Sequence, residues 1–69
     1  MEFKLAGEEF ITLQALLKVC GLAQNGGAAK SAITSGAVKV DGEIETRRGK
    51  KIRAGQIVFF ENQQIQVIA

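Results

Sequence analysis

Val38, Lys39 and Val40 alternate apolar and charged side chains and run directly into Asp41-Gly42. The alternation is the period of a strand buried on one face, and Asp-Gly supplies the positive-φ pair that a two-residue hairpin needs. The chain must reverse here, which makes Glu43, Ile44 and Glu45 the returning strand, with Ile44 facing inward. Just upstream, Ala29, Ala32, Ile33 and Gly36 fall on one face of a helix. Gly36 stands where a left-handed C-cap is wanted, since glycine takes positive φ without a Cβ penalty. Lys30, Ser31 and Thr34 lie on the other side of that helix.

The same periodicity predicts an earlier helix. Leu13, Leu16, Leu17 and Cys20 occupy positions i, i+3, i+4 and i+7. Thr12 is its expected N-cap, Glu8 and Glu9 precede it at the positive dipole end, and Gly21 stops it. Leu22 is expected to anchor the connection, and Asn25 to cap the second helix after the turn Ala23–Gly27. Downstream of the hairpin, Thr46–Lys51 is too polar for a core, Ile52 returns inward, and Ala54-Gly55-Gln56 reads as a turn. Ile57–Phe60 is a continuous apolar run, expected as a central buried strand. Glu61-Asn62-Gln63 turns the chain into the alternating Gln64–Ile68, with Ile65 and Val67 inward. Glu2–Leu5 suits a short edge strand. The expected architecture is α+β: a two-helix hairpin packed on a small, mostly antiparallel sheet, with residues 1–69 as a single domain.

Composition narrows the chemistry. The chain has no histidine, no tyrosine and one cysteine, so a zinc-ligand set, an internal disulfide and the usual acid–base groups are missing. Cys20 lies on an apolar helical face and reads as a buried thiol. Glu43 and Glu45 are expected on an exposed strand face, with nothing to move their pKa values. No enzyme, cofactor or metal site is expected. With no apolar run of membrane-spanning length and no leader-like segment, the chain reads as a cytoplasmic protein that does not enter membranes.

Charge placement carries the functional signal. Five of the seven residues from Arg47 to Arg53 are cationic: Arg47, Arg48, Lys50, Lys51 and Arg53. The acids cluster mainly at Glu2–Glu9 and Asp41–Glu45, which leaves this run locally unopposed. Cations gathered on one surface release counterions from a nucleic-acid backbone, and arginine forks suit phosphate. Lys30 and Lys39 would extend the patch from the polar sides of the helix and strand. A solvated charged loop is the plain alternative. The aromatic residues are four phenylalanines, and none is expected to form an exposed stacking platform, which favours phosphate tracking on folded RNA over single-strand binding. Gly26-Gly27 reads either as a phosphate cradle or as a loop needing unusual φ. Two other functional classes compete with RNA binding. One is a protein-interaction module using an edge strand or Phe59 and Phe60. The other is a helix-turn-helix DNA reader, which lacks an evident dimer interface.

Taken together, Gly21, Ala29-Lys30, Ile33, Gly36, Val38, Val40-Asp41-Gly42, Gly55 and Val58 resemble the ribosomal-protein-S-four-type RNA-binding domain, whose core is called the alpha-L motif. The resemblance spans Thr12 to Phe60 and is nearest to small stand-alone bacterial members. It implies RNA binding, to ribosomal or transfer RNA and in association with ribosomes; a monomer is expected. The face implied is the second helix, the following strand and the hairpin loop. By position this points to Asn25, Lys30, Lys39, Arg47, Arg48, Lys50, Lys51 and Arg53. Three positions depart from the family pattern. Gly26 stands where an arginine is frequent, Asp41 where asparagine is, and Gln56 where aspartate is.

Overall fold

In the computed structural model, which describes residues 1–69, both helices begin at the residues whose side chains can cap them. Helix α1 (Leu13–Val19) starts after Thr12, whose hydroxyl accepts from the Ala15 amide at 3.3 Å. Helix α2 (Gly26–Thr34) starts after Asn25, whose Oδ1 accepts from the Ala28 amide at 2.8 Å. The two helices also end alike. Gly21 and Gly36 take φ of 76° and 85°, beyond the reach of most side chains. The Gly36 amide donates to the Ile33 carbonyl and the Ala37 amide to the Ala32 carbonyl. Gly21 and Leu22 repeat this on Lys18 and Leu17. Each pair satisfies carbonyls that the helix end leaves open. Leu22 packs against the core, as its anchoring role requires.

Strands β1 (Glu2–Lys4), β3 (Lys39–Val40), β4 (Glu43–Ile44), β6 (Ile57–Phe60) and β7 (Gln63–Ile68) form one sheet in the order β1-β7-β6-β3-β4. Only the β1–β7 pair is parallel. Asp41 and Gly42 turn the β3–β4 hairpin with φ of 52° and 85°, both positive as the sequence requires. The β6–β7 turn is Glu61-Asn62, with φ of 50° and 63°, so Gln63 already pairs with Phe60 instead of belonging to the turn. A second, two-stranded sheet joins β2 (Ile11–Thr12) to β5 (Lys51–Ile52). Strands of two residues leave no period in a sequence, and this pairing was not expected.

One cluster of thirteen buried apolar side chains fills the space between helices and sheet. Leu13, Leu16, Leu17, Ala29 and Ile33 come from the helices, and Val38, Val40, Val58, Phe60, Ile65 and Val67 from the main sheet or its margin. Ile52 closes the core from β5.

Helices cover only one face of the sheet, and that corrects two expectations. Ile57–Phe60 is central but not buried on both sides. Val58 and Phe60 face the core, while Ile57 and Phe59 are 36% and 41% exposed on the open face. Ile44 pairs with Lys39 on that same open face and is 61% exposed, so it does not point inward. Its strand is the sheet edge, with no neighbour to cover it. Cys20 is half-buried, and burial pushes its thiol pKa up, which lowers its reactivity. Glu8 and Glu9 are separated from α1 by β2 and do not enter its first turn.

Candidate nucleic-acid interface

Carbonyls from the basic turn meet the open amides of α1. The Leu13 amide donates to the Lys50 carbonyl at 2.8 Å, and the Gln14 amide donates to the Arg48 carbonyl at 3.1 Å. With the Thr12 cap on Ala15, successive amides at the helix start are satisfied. The turn itself closes through the Lys50 amide on the Arg47 carbonyl at 3.2 Å. No side chain of this turn enters the core. The backbone therefore fixes the turn while its side chains remain available to solvent.

Arg47, Gly49, Lys50, Lys51 and Arg53 line an open cleft of about 530 Å³ with no hydrophobic residue in its wall. A second depression of about 340 Å³ adjoins it, sharing Arg47 and Lys50 and reaching Asp41, Glu43, Glu45 and Gln56 beside the hairpin. The cations are not all unopposed, contrary to the sequence expectation. Arg47 Nε lies 2.9 Å from Glu45 Oε2, and its Nη2 lies 3.1 Å from Oε1. The Arg47 amide also donates to Oε2 at 3.0 Å.

These side-chain and backbone hydrogen bonds from Arg47 hold the Glu45 carboxyl at about 2, well below its ordinary 4.5. The Glu45 carboxylate in turn raises the Arg47 pKa. The expectation that Glu45 would titrate normally on an open strand face is thus corrected. Its side chain is 13% exposed, whereas that of Arg47 remains 72% exposed.

A phenylalanine also belongs to this neighbourhood. The Phe10 ring is half-buried, with Lys51 Nζ 5.0 Å and Arg53 Cζ 5.6 Å from its centroid. Together with Phe59 on the open sheet face, it corrects the expectation that no aromatic ring is accessible. No sequence signal marks Phe10: the β2–β5 register places it one position beyond Ile11 and therefore across from Arg53. That register was not legible without the fold.

The other candidate residues lie elsewhere. Arg48 occupies the tip of the basic turn but does not line the cleft. Asn25 uses Oδ1 as the α2 cap. Lys30 is exposed on α2, and Lys39 is exposed on the open sheet face between Ile44 and Phe59. Neither lysine lines the cleft.

Gln14 links α2 to this region, because its Nε2 donates to the Gly26 carbonyl at 3.2 Å while its backbone holds Arg48. Gly26 and Gly27 are ordinary helical residues without positive φ, so unusual backbone geometry does not explain them. A Cβ on Gly26 would meet Gln14 Nε2 at 2.9 Å, so a larger residue there would displace the end of the Gln14 side chain.

No helix is long and apolar enough to cross a membrane. No three histidine, cysteine, aspartate or glutamate side chains gather into a metal-binding group.

Several known proteins resemble this chain. Escherichia coli YbcJ, provisionally named an RNA-binding protein, is 46% identical over 67 residues, covering 97% of this chain and 96% of YbcJ. Bacillus subtilis RlbA, provisionally named a ribosome maturation protein, is 40% identical over 53 residues, covering 77% of this chain and 75% of RlbA. The solution structure of YbcJ, described as revealing an alfaL motif involved in RNA binding, superposes with a TM-score of 0.76 over 99% of this chain and 86% of that one. The S4 domain profile matches residues 3–68, nearly the whole length. With its capped helix pair, Asp-Gly hairpin and mostly antiparallel sheet, the chain belongs to the S4 domain family.

Proposed function

We propose that this protein binds structured RNA, ribosomal or transfer RNA on the ribosome, through the cleft around Gly49. The observation that carries the reading is a wall of Arg47, Lys50, Lys51 and Arg53 without one apolar side chain. Such a surface suits a phosphate backbone. Arg48, Lys30, Lys39 and Asn25 serve as flanking contacts that broaden the footprint. The protein acts in the cytoplasm as a monomer, with residues 1–69 as one domain, and it binds without catalysing. The names given to YbcJ and RlbA support an RNA partner and a ribosomal setting.

The test is crosslinking in cells followed by sequencing of the attached RNA, with Arg47, Arg48, Lys50 and Lys51 reversed to glutamate as the control. Enrichment of one ribosomal or transfer RNA region, lost in the folded mutant, is the expected result. RNA recovery equal to that of the mutant defeats the proposal.

A second reading has its own observation. Ile44, Ile57 and Phe59 are exposed together on the open face of the sheet, where a protein partner would dock. Phe60, the other ring expected at such a surface, is buried and takes no part. Protein docking there would be insensitive to salt, whereas RNA binding weakens steeply with it.

A further inference from the structure

Phe10 is a half-buried phenyl ring that neither belongs to the core cluster nor packs against it. A ring placed there solely for stability would be expected among those contacts. Two exposed cations stand over it, Lys51 and Arg53, which flank Ile52 and also line the cleft. Neither cation forms an ion pair with a carboxylate, although Glu8 and Glu9 directly precede Phe10. A half-buried aromatic surface thus sits under two exposed positive charges that no carboxylate neutralises.

We propose that Phe10 is a stacking site for one unpaired nucleobase of the bound RNA, with Lys51 and Arg53 taking the phosphates on either side of that nucleotide. This deepens the RNA-binding reading and rests on it. Magnitudes favour the exchange. An exposed cation over a ring stabilises by only about two- to fivefold. Stacking a base on an aromatic side chain is worth on the order of tenfold or more by substitution. Long, solvent-exposed lysine and arginine side chains can swing from the ring to a phosphate, where their hydrogen bonds become charge-assisted. The open ring face then receives the base. Fully paired RNA offers no free base, so the site selects a bulge, a junction or an unpaired end.

The test compares two RNA hairpins, one perfectly paired and one carrying a single bulged fluorescent adenine analogue. The cationic cleft should give both hairpins a salt-dependent affinity. Wild type is expected to bind the bulged hairpin about tenfold tighter and to change the analogue's fluorescence on binding. Phe10→Leu should lose both the preference and the fluorescence change while still binding the paired hairpin, and Phe10→Trp should keep both. Phe59→Leu, on the open sheet face, serves as the control and should behave as wild type.

Equal affinity of wild type for the two hairpins overturns the stacking site and leaves the RNA-binding reading intact. So does a bulge preference that survives Phe10→Leu. The wild-type comparison can overturn the site without any variant having to fold. Failure of wild type to bind either hairpin at low salt defeats the RNA-binding reading itself, and the stacking site with it.

Discussion

Asp41 and Gln56 are joined beside the β3–β4 hairpin, with Gln56 Nε2 donating to Asp41 Oδ2 at 3.3 Å. Asp41 Oδ1 accepts from the Ile57 amide at 2.9 Å, and Gln56 Oε1 accepts from the Arg53 amide at 2.8 Å. Two of the three positions read from the sequence as departures from the resemblance are therefore partners. A carboxylate and an amide share one hydrogen bond. The bond fixes the turn after Arg53 against the hairpin, so it also positions one end of the cationic cleft.

Exchanging the groups tests this coupling. Gln56→Glu places two carboxylates face to face and is expected to cost about 1 kcal/mol at neutral pH. Adding Asp41→Asn should recover most of that stability. The new side-chain amide can donate to the new carboxylate while its oxygen still accepts from the Ile57 amide. Urea unfolding of the two single variants and the double variant measures the coupling. Simple additivity would show that the hydrogen bond contributes nothing.

Cleft cations should differ from peripheral ones in salt dependence. Each phosphate that goes unneutralised lowers the slope of log affinity against log salt by roughly 0.7–0.9. Lys50→Ala and Lys51→Ala are expected to lower it by about that much each, and Lys30→Ala by clearly less. Filter-binding titrations over a salt series give the slopes. A larger effect at Lys30 than at Lys50 would move the site to α2.

Glu45 competes with phosphate for Arg47. Glu45→Gln keeps an acceptor oxygen but removes the charge, so RNA affinity at low salt should rise a few-fold. The pair is also acid-sensitive. Because the folded-state pKa of Glu45 is depressed, its stabilising effect is complete above the ordinary 4.5 and is lost as pH falls toward about 2. The carboxyl resonance of Glu45 and the Nε–H of Arg47 should titrate together in that window by NMR. Titration of Glu45 at its ordinary value would mean the pair does not persist in solution.

Glu61 holds a φ of 50° in a turn that favours asparagine or glycine. Glu61→Asn is expected to stabilise the fold by about 0.5 kcal/mol, seen as a rise in Tm of roughly 2–4 °C. A thermal melt followed by circular dichroism decides it. Unchanged or lower Tm would show that Glu61 gains something in the turn that its conformation conceals.

Much of the fold was legible because its signals are local. Caps at Thr12 and Asn25, the glycines ending both helices and the Asp41-Gly42 turn depend on residues within one or two turns of each other. The apolar periods of α1, of Val38–Val40 and of β7 likewise report which face is buried. The cationic run was equally plain from the sequence, as was the family pattern.

Tertiary structure alone decided what covers each face and what stands beside each charge. Ile57–Phe60 is apolar throughout, and only the absence of a second layer turns Ile57 and Phe59 outward. Ile44 faces solvent because β4 is an edge. Which cations share a cleft followed from the two-residue β2–β5 pairing and from carbonyls of the basic turn seated on the α1 amides. These are contacts between residues distant in the chain. The sequence therefore determined the elements, their ends and the sign of the surface. The packing of those elements assigned the partners, because side-chain neighbours across a fold are set by register and layering that no local pattern records.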